Sequence, residues 1–272
     1  MICNICTHNC DIEEGKTGFC NARGNISGKI SSLNYGRLTS ISLDPIEKKP
    51  LNRFFPDSLI LSVGSFGCNL RCGFCQNHSI SMADSKAETA YLSPEELVLK
   101  AKELVLHGNI GIAFTYNEPL VGYEYVYDCA SLAHDNGLKT VLVTNGLINA
   151  EPLSKLLPLI DAMNIDLKGF SADFYKKVAG DFETVKKTIE KSAKVCHVEV
   201  TTLIIPGEND SADEMDREAE WLASIDPEIP LHISRFFPRY KMLQKEATPL
   251  ETIHLLRDTA RRHLKYVYTG NC

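Results

Sequence analysis

Leu59-Ile60-Leu61-Ser62-Val63-Gly64-Ser65-Phe66-Gly67-Cys68-Asn69-Leu70-Arg71-Cys72-Gly73-Phe74-Cys75-Gln76-Asn77 is the most informative stretch of the chain. An apolar, β-like segment, Leu59–Val63, runs into three cysteines spaced C-x3-C-x2-C. A tetrahedral structural zinc site needs four closed ligands and usually draws them from paired C-x2-4-C units. Cysteine thiolates also hold cubane iron–sulfur clusters. Three of them on one loop leave the fourth iron open to a small molecule, which points to chemistry more than to scaffolding. The competing reading closes the site with a distant fourth cysteine, Cys129, Cys196 or Cys272, as a zinc centre or plain electron carrier.

Working outward, Leu59–Val63 is the first of a series of β-branched, apolar runs separated by amphipathic stretches. The others are Ile110–Phe114, Lys139–Val143, Ala162–Leu167, His197–Ile205 and Leu231–Phe236. This is the βαβ pattern of a parallel sheet, and six such runs predict an α/β fold, a partial (β/α)6 TIM-like barrel over residues 56–272. A weaker run, Lys265–Thr269, would add an edge strand, and residues 1–55 read as a small Cys-rich N-terminal extension. Helix starts are legible between the runs. Ser93-Pro94-Glu95-Glu96 combines a capping serine, a proline in the first turn and a glutamate at the third position, which together satisfy free N–H groups. Thr248-Pro249-Leu250-Glu251 repeats the device, and Ser211 would cap a helix running to about Ser224.

In barrels of parallel strands the working groups gather at the carboxyl ends, where the strand-to-helix loops converge. Polar residues stand there in every predicted repeat. The cysteine loop follows the first strand, Thr115-Tyr116-Asn117-Glu118-Pro119 the second, Thr144-Asn145-Gly146 the third and Asp166-Leu167-Lys168 the fourth. Pro206–Asp210 ends the fifth, and the sixth opens with His232 and ends in Phe237–Tyr240. Each has a plain structural explanation alone: Asn145-Gly146 as a turn, Asp166 and Lys168 as an ion pair on one strand face, His232 as a core histidine. Their joint placement argues for a site.

Composition bounds the function classes. The chain of 272 residues suffices for one barrel-sized domain, and a formal net charge of −6 gives no sign of nucleic-acid binding. The basic segment Arg257–Lys265 reads as a solvated helix face. No apolar run is long enough to span a bilayer, and Met1-Ile2-Cys3 opens no signal peptide, so a soluble, cytoplasmic protein is expected. Ten cysteines in such a chain suit metal ligands or buried thiols better than disulfides. Four of them, Cys3, Cys6, Cys10 and Cys20, crowd the amino terminus among Gly15, Gly18 and Gly24. They would form a knuckle for zinc or a second iron–sulfur cluster, with His8 as a substitute ligand, or remain free thiols; a docking surface or electron relay is also open.

With Phe74 ahead of its last cysteine, the triplet resembles the signature of the radical S-adenosylmethionine (SAM) superfamily. Asp44-Pro45-Ile46-Glu47-Lys48-Lys49-Pro50-Leu51, Cys75-Gln76-Asn77 and Thr115–Pro119 resemble a branch of it, the "AmmeMemoRadiSam" proteins related to the pyruvate formate-lyase activating enzyme. The likeness runs from residue 44 onward. It implies an oxygen-sensitive oxidoreductase in which Cys68, Cys72 and Cys75 hold a [4Fe-4S] cluster, and SAM is cleaved reductively to a 5′-deoxyadenosyl radical that abstracts hydrogen. Where the family carries Gly-Gly-Glu-Pro, this chain has Tyr116-Asn117-Glu118-Pro119. Glu118 keeps the acceptor for the SAM ammonium, while the paired glycines are absent. The resemblance further implies that Asn117, Asn145, Asp166 and Lys168 face SAM, with Lys168 near its carboxylate, His232 near the adenosine, and Phe74 and Asn77 beside the cluster. The partners implied are an external electron donor, flavodoxin- or ferredoxin-like, and a protein substrate of the glycyl-radical activation type. A small-molecule substrate, a methyltransferase without radicals and a non-enzymatic metal protein are the other readings.

Overall fold

A computed structural model describes all residues, 1–272. The chain opens with an antiparallel hairpin, β1 (Arg23–Ile26) and β2 (Lys29–Ser32), followed by β3 (Arg37–Leu38) and β4 (Ser40–Pro45). Next come β5 (Leu59–Gly64), α1 (His78–Ser81) and β6 (Ala90–Tyr91), which pairs back onto β3. Helices and strands then alternate: α2 (Pro94–Glu103), β7 (Asn109–Phe114), α3 (Tyr123–Asp135), β8 (Lys139–Thr144), α4 (Ala150–Leu156) and β9 (Ala162–Asp166). The series ends with α5 (Ala172–Lys177), α6 (Phe182–Ser192), β10 (His197–Ile204), α7 (Ala212–Ile225), β11 (Leu231–Arg235), α8 (Leu250–Ala260) and β12 (Val267–Gly270).

One sheet carries the architecture, in the order β12-β11-β10-β9-β8-β7-β5-β4. Every neighbouring pair is parallel except β4, which lies antiparallel on β5. The six predicted strands are all present, and the run at Lys265–Thr269 supplies β12 as an edge. The fold is a partial TIM-like barrel. β4 is the strand that periodicity did not announce: as an edge it is largely exposed, so no apolar run marks it. Residues 40–54, read as part of the extension, contribute this strand and the barrel floor.

That floor follows from the two-residue period of the strands, which sends alternate side chains to opposite faces. Ile60, Ala113, Val141 and Ala162 on one face pack with Ile46, Leu51 and Phe54. The opposite face, with Leu61, Ile112, Leu142 and Met163, meets the helices in the large core. Polar clamps fix the floor: Asn164 Nδ2 donates to the Pro50 carbonyl (2.9 Å), and buried Glu199 accepts from the amides of Asn52 (3.1 Å) and Arg53 (2.7 Å). With one end closed, the inner face opens at the carboxyl ends.

Two of the three helix starts form as read. Ser93 and Glu96 make the reciprocal capping box, and Ser211 accepts from the Glu214 amide at 3.1 Å. Thr248 is a correction. Its hydroxyl is wholly buried, donating to the Ile204 carbonyl (2.6 Å) and accepting from the Phe236 amide (3.2 Å), so it ties β10 to the end of β11 and caps nothing. Most of the basic charges of Arg257–Lys265 are paired with acids: Arg257 with Asp258, Arg262 with Asp216, Lys265 with Glu228. No helix is long and apolar enough to cross a membrane.

Candidate functional site

The inner face at the carboxyl ends of the strands bounds a cavity of about 740 Å³. Cys68, Cys72 and Cys75 line it together with Phe74, Asn77, Asn117, Glu118, Asn145, Asp166, Lys168 and His232. Sequence-distant residues thus meet because most of them follow the ends of neighbouring parallel strands, while His232 reaches the cavity from the opening of β11. Cys129, Cys196 and Cys272 do not line the cavity, which removes the reading that closes the triplet with a distant cysteine.

The triplet sits on a braced loop after β5. Gly67 holds φ +90°, a left-handed conformation that glycine adopts freely, and a Cβ there would lie 2.6 Å from the Cys20 carbonyl oxygen. Arg71 donates to the carbonyls of Cys68 (2.8 Å) and Leu70 (2.9 Å) and to that of Phe19, while its own amide donates to Val178 (2.8 Å). Its charge is therefore turned into the loop. The Cys68 sulfur receives the Leu70 amide (3.4 Å) and lies 3.7 Å from Asn145 Nδ2.

The thiols indicate what would suit this loop. Burial pushes Cys68 well above the usual thiol range, with Glu118 and Cys72 adding to it. Burial also pushes Cys72 up to about 12 despite the opposing charge of Lys168. Such thiols stay protonated until a strong positive centre replaces the protons, which is what metal coordination does. No three His, Cys, Asp or Glu side chains in the chain are grouped as ligands of a single metal ion. The thiolates that hold a cubane cluster stand further apart than the ligands of one ion, and three soft thiols on one loop, open to a large cavity, fit it.

Glu118 faces this loop from β7's end. One of its oxygens accepts from Thr144 Oγ1 (2.7 Å) and the Leu120 amide (3.0 Å), the other from the Asn145 amide (2.7 Å). A carboxylate offers about four acceptor positions, so one remains. Burial raises its pKa to about 7, the three donors only partly opposing it. Asn117, by contrast, has its side chain taken up by the β5 loop, accepting from the Ser65 amide (2.9 Å) and donating to the Gly67 (3.0 Å) and Glu118 (3.2 Å) carbonyls. Asn77 donates to the Tyr116 carbonyl at 2.7 Å. Asp166 and Lys168 do pair, at 2.9 Å. Burial alone would lower the lysine's pKa, but its ion pair with Asp166 outweighs it and holds the ammonium charged. His232 bonds Glu199 through Nε2 (2.6 Å) and stacks on Tyr268. Burial would raise Glu199, yet His197 and His232 hold it down at about 2.

Three groups at the cavity were not assigned to it from the sequence. The run Asp44–Lys49 reaches the rim because β4 pairs with β5. Thr269, Gly270 and Asn271 arrive on β12. Tyr116 occupies φ +72°, held there by its hydroxyl on Asp44 (2.6 Å) and its ring against the Lys49 ammonium (4.8 Å). A bulky residue in the left-handed region is strained, and only the run of lysines near an aspartate hinted at a partner able to hold it.

The fold and the three-thiol mouth define a barrel with a thiol-lined site at the carboxyl ends of its strands. Residues 62–219 match the model of the radical SAM superfamily, and the chain belongs to that superfamily. It is 45% identical over 276 residues to an uncharacterized protein of Methanocaldococcus jannaschii, a match covering 99% of this chain and 80% of that one. It is 30% identical over 154 residues to the pyruvate formate-lyase-activating enzyme of Clostridium pasteurianum, covering 53% of this chain and 63% of that enzyme. Among solved structures, a domain of the pyruvate-formate lyase-activating enzyme from Bacteroides vulgatus aligns with TM-score 0.52 at 19% identity, covering 59% of this chain and 99% of the domain. That last likeness is one of fold. Membership of the superfamily implies a [4Fe-4S] cluster and SAM.

Proposed function

We propose that the chain is a radical SAM enzyme of the activating type, acting on a protein substrate, with Cys68, Cys72 and Cys75 as the ligands of its [4Fe-4S] cluster. The observation that carries this reading is the convergence of three thiols, Cys72 buried and Cys68 and Cys75 half-buried, with Glu118, Asn145, Asp166 and Lys168 on one cavity. When bound, the cluster and SAM supply one-electron cleavage of the S–C5′ bond and, with it, the abstraction of a hydrogen atom from an unactivated carbon. The electron comes from an external flavodoxin- or ferredoxin-like donor.

The chain's own residues bind and orient. Glu118 accepts the ammonium of SAM at its remaining position, and Lys168, held charged by Asp166, meets the carboxylate. His232, fixed through Nε2 by Glu199, presents its ring to the adenosine. Asn145 Nδ2, beside Cys68, lowers the electron density on that sulfur and so tunes the cluster. Leu70, Phe74 and Leu203 supply apolar walls that exclude water from the reacting carbon. A protein substrate is favoured by the similarity to the Clostridium pasteurianum activating enzyme.

The test is anaerobic reconstitution with iron and sulfide, then chromatography of the products formed from SAM and a strong reductant. We expect methionine and 5′-deoxyadenosine from the wild type and neither from Cys72→Ala. Product formation undiminished in Cys72→Ala would defeat the cluster assignment. Acceleration by metabolite pools and not by protein fractions of the same cell would replace the protein substrate by a small molecule.

A further inference from the structure

At the other side of the cysteine loop lies a second group of thiols. Cys3, Cys6, Cys10 and Cys20 line one small void together with Arg23. The segment is tightly folded: Cys3 donates through its amide to the Cys10 carbonyl (2.9 Å), and isolated bridges pair Ile2 with Asp11 and Thr17 with Gly24. All four thiols are free. Arg23 is 4% exposed. Its terminal nitrogens form a fork on Glu124 (2.6 and 2.7 Å), but its Nε is buried without any partner. A buried N–H left without an acceptor is destabilising, so an acceptor belongs opposite it, and the neighbouring sulfurs are the available ones once they are thiolates.

We propose that Cys3, Cys6, Cys10 and Cys20 are the ligands of a mononuclear, thiophilic divalent cation of the zinc class, with Arg23 Nε donating to a ligand sulfur. The small size of the void favours a single ion over a cluster. At about 10 Å³ it has room for a single water-sized body, whereas a four-iron cubane is several times larger. His8 also lines the void, but its Nε2 is engaged by the Asn69 carbonyl (2.8 Å) and its ring packs on Phe19, and the four sulfurs alone complete a tetrahedral set. The sulfurs line one void without being drawn onto one point. Binding forms four metal–sulfur bonds and breaks four S–H bonds, releasing the protons to solvent. The dianionic centre that results would give the buried guanidinium a second negative partner besides Glu124.

The site has a mechanical consequence. Cys20 gives its carbonyl to the amide of Cys68 (3.2 Å), Phe19 gives its carbonyl to Arg71, and His8 holds the Asn69 carbonyl. Asn149, beyond β8, donates to the carbonyls of Asn4 (2.8 Å) and Cys6 (3.1 Å). The knuckle therefore clamps the loop of the Cys68 triplet from outside, and the cation is the part that keeps the clamp folded.

The experiment does not rest on the cluster reading, because it is done on the full chain with Cys68, Cys72 and Cys75 all replaced by alanine, alongside the wild type. Metal analysis after purification in zinc-supplemented buffer is expected to give one zinc per chain in both. Cobalt(II) substitution in the wild type is expected to give the visible bands of a tetrahedral tetrathiolate. Cys6→Ser with Cys10→Ser should abolish both signals, and Arg23→Gln should weaken cobalt affinity at least tenfold. Chelation of the zinc should speed amide exchange over residues 67–71 more than over β8. No zinc in either protein, iron and sulfide bound four of each in the triple variant, or zinc kept after loss of Cys6 and Cys10 would each overturn the site. Unchanged exchange over residues 67–71 would overturn the clamp.

Discussion

Burial outweighs the three donors of Glu118 and raises its pKa to about 7, which, in the proposed role of accepting the SAM ammonium, sets the pH range in which it can do so. The carboxylate form is the one that binds, and it is depleted as pH falls through 7, so SAM affinity should weaken between pH 8 and pH 6. Glu118→Gln keeps the volume and loses the charge. Equilibrium binding should show affinity about tenfold weaker at pH 8, equivalent to ~1.4 kcal/mol, with a flattened pH profile and undiminished iron content. A variant with wild-type affinity and the wild-type profile would take Glu118 out of the SAM site. The residue's place at the end of its strand was legible in Asn117-Glu118-Pro119, since strand ends converge in such barrels. Its state was not, because the pKa depends on Thr144, Asn145 and Leu120, which lie on β8's end and the following turn. Tyr116 was opaque for a related reason: sequence shows a tyrosine where the family has glycine, and only the tertiary contact with Asp44 and Lys49 shows what holds it.

Among the elements, Ser93 and Thr248 carry the same sequence sign, a hydroxyl before proline with glutamate following, and the structure puts them to opposite uses. Ser93 caps α2 at the surface, where loss of a cap costs about 1 kcal/mol. Thr248 is buried, and its hydroxyl satisfies the Ile204 carbonyl and the Phe236 amide at once. Thr248→Val preserves shape and strands both groups, which costs ~1–3 kcal/mol each. Thermal unfolding should therefore show Thr248→Val lowering the midpoint more than Ser93→Ala, by at least the 2–4 °C that ~1 kcal/mol represents in a domain of this size. Equal shifts would mean that Thr248 is only another cap. Strand periods were readable because the parallel strands are buried on both faces and spell apolar runs. β4 escaped notice because it is a largely exposed edge, and with it the lysine-bearing rim of the cavity that it positions. A local pattern reports burial, and the two uses of one motif differ in burial alone.

For the whole molecule, the buried carboxyls divide into two groups with opposite effects on stability. Glu199 is held at about 2 by His197 and His232 against burial, so its contribution is present above the unfolded carboxyl range and lost only as pH falls through 2. Glu218, on α7, accepts from Thr202 on β10 and is raised by burial to about 8. A carboxyl raised in the folded state stabilises most below its unfolded value, and that stability declines as pH rises through the folded one. Between pH 6 and pH 8 the folded chain keeps a proton on Glu218 that the unfolded chain has released, a slope of about 1.4 kcal/mol per pH unit. Glu218→Gln retains the acceptor for Thr202 and has no proton to lose. Glu118 titrates in the same direction in both proteins, and the raised thiols act at higher pH, so the difference between wild type and variant isolates Glu218. Denaturant titrations at pH 6 and pH 8 should show the wild type losing roughly 2 kcal/mol more than Glu218→Gln. Parallel losses would mean that Glu218 is ionised in the folded barrel at pH 6, and that the α7–β10 contact holds a charge instead of a neutral acid.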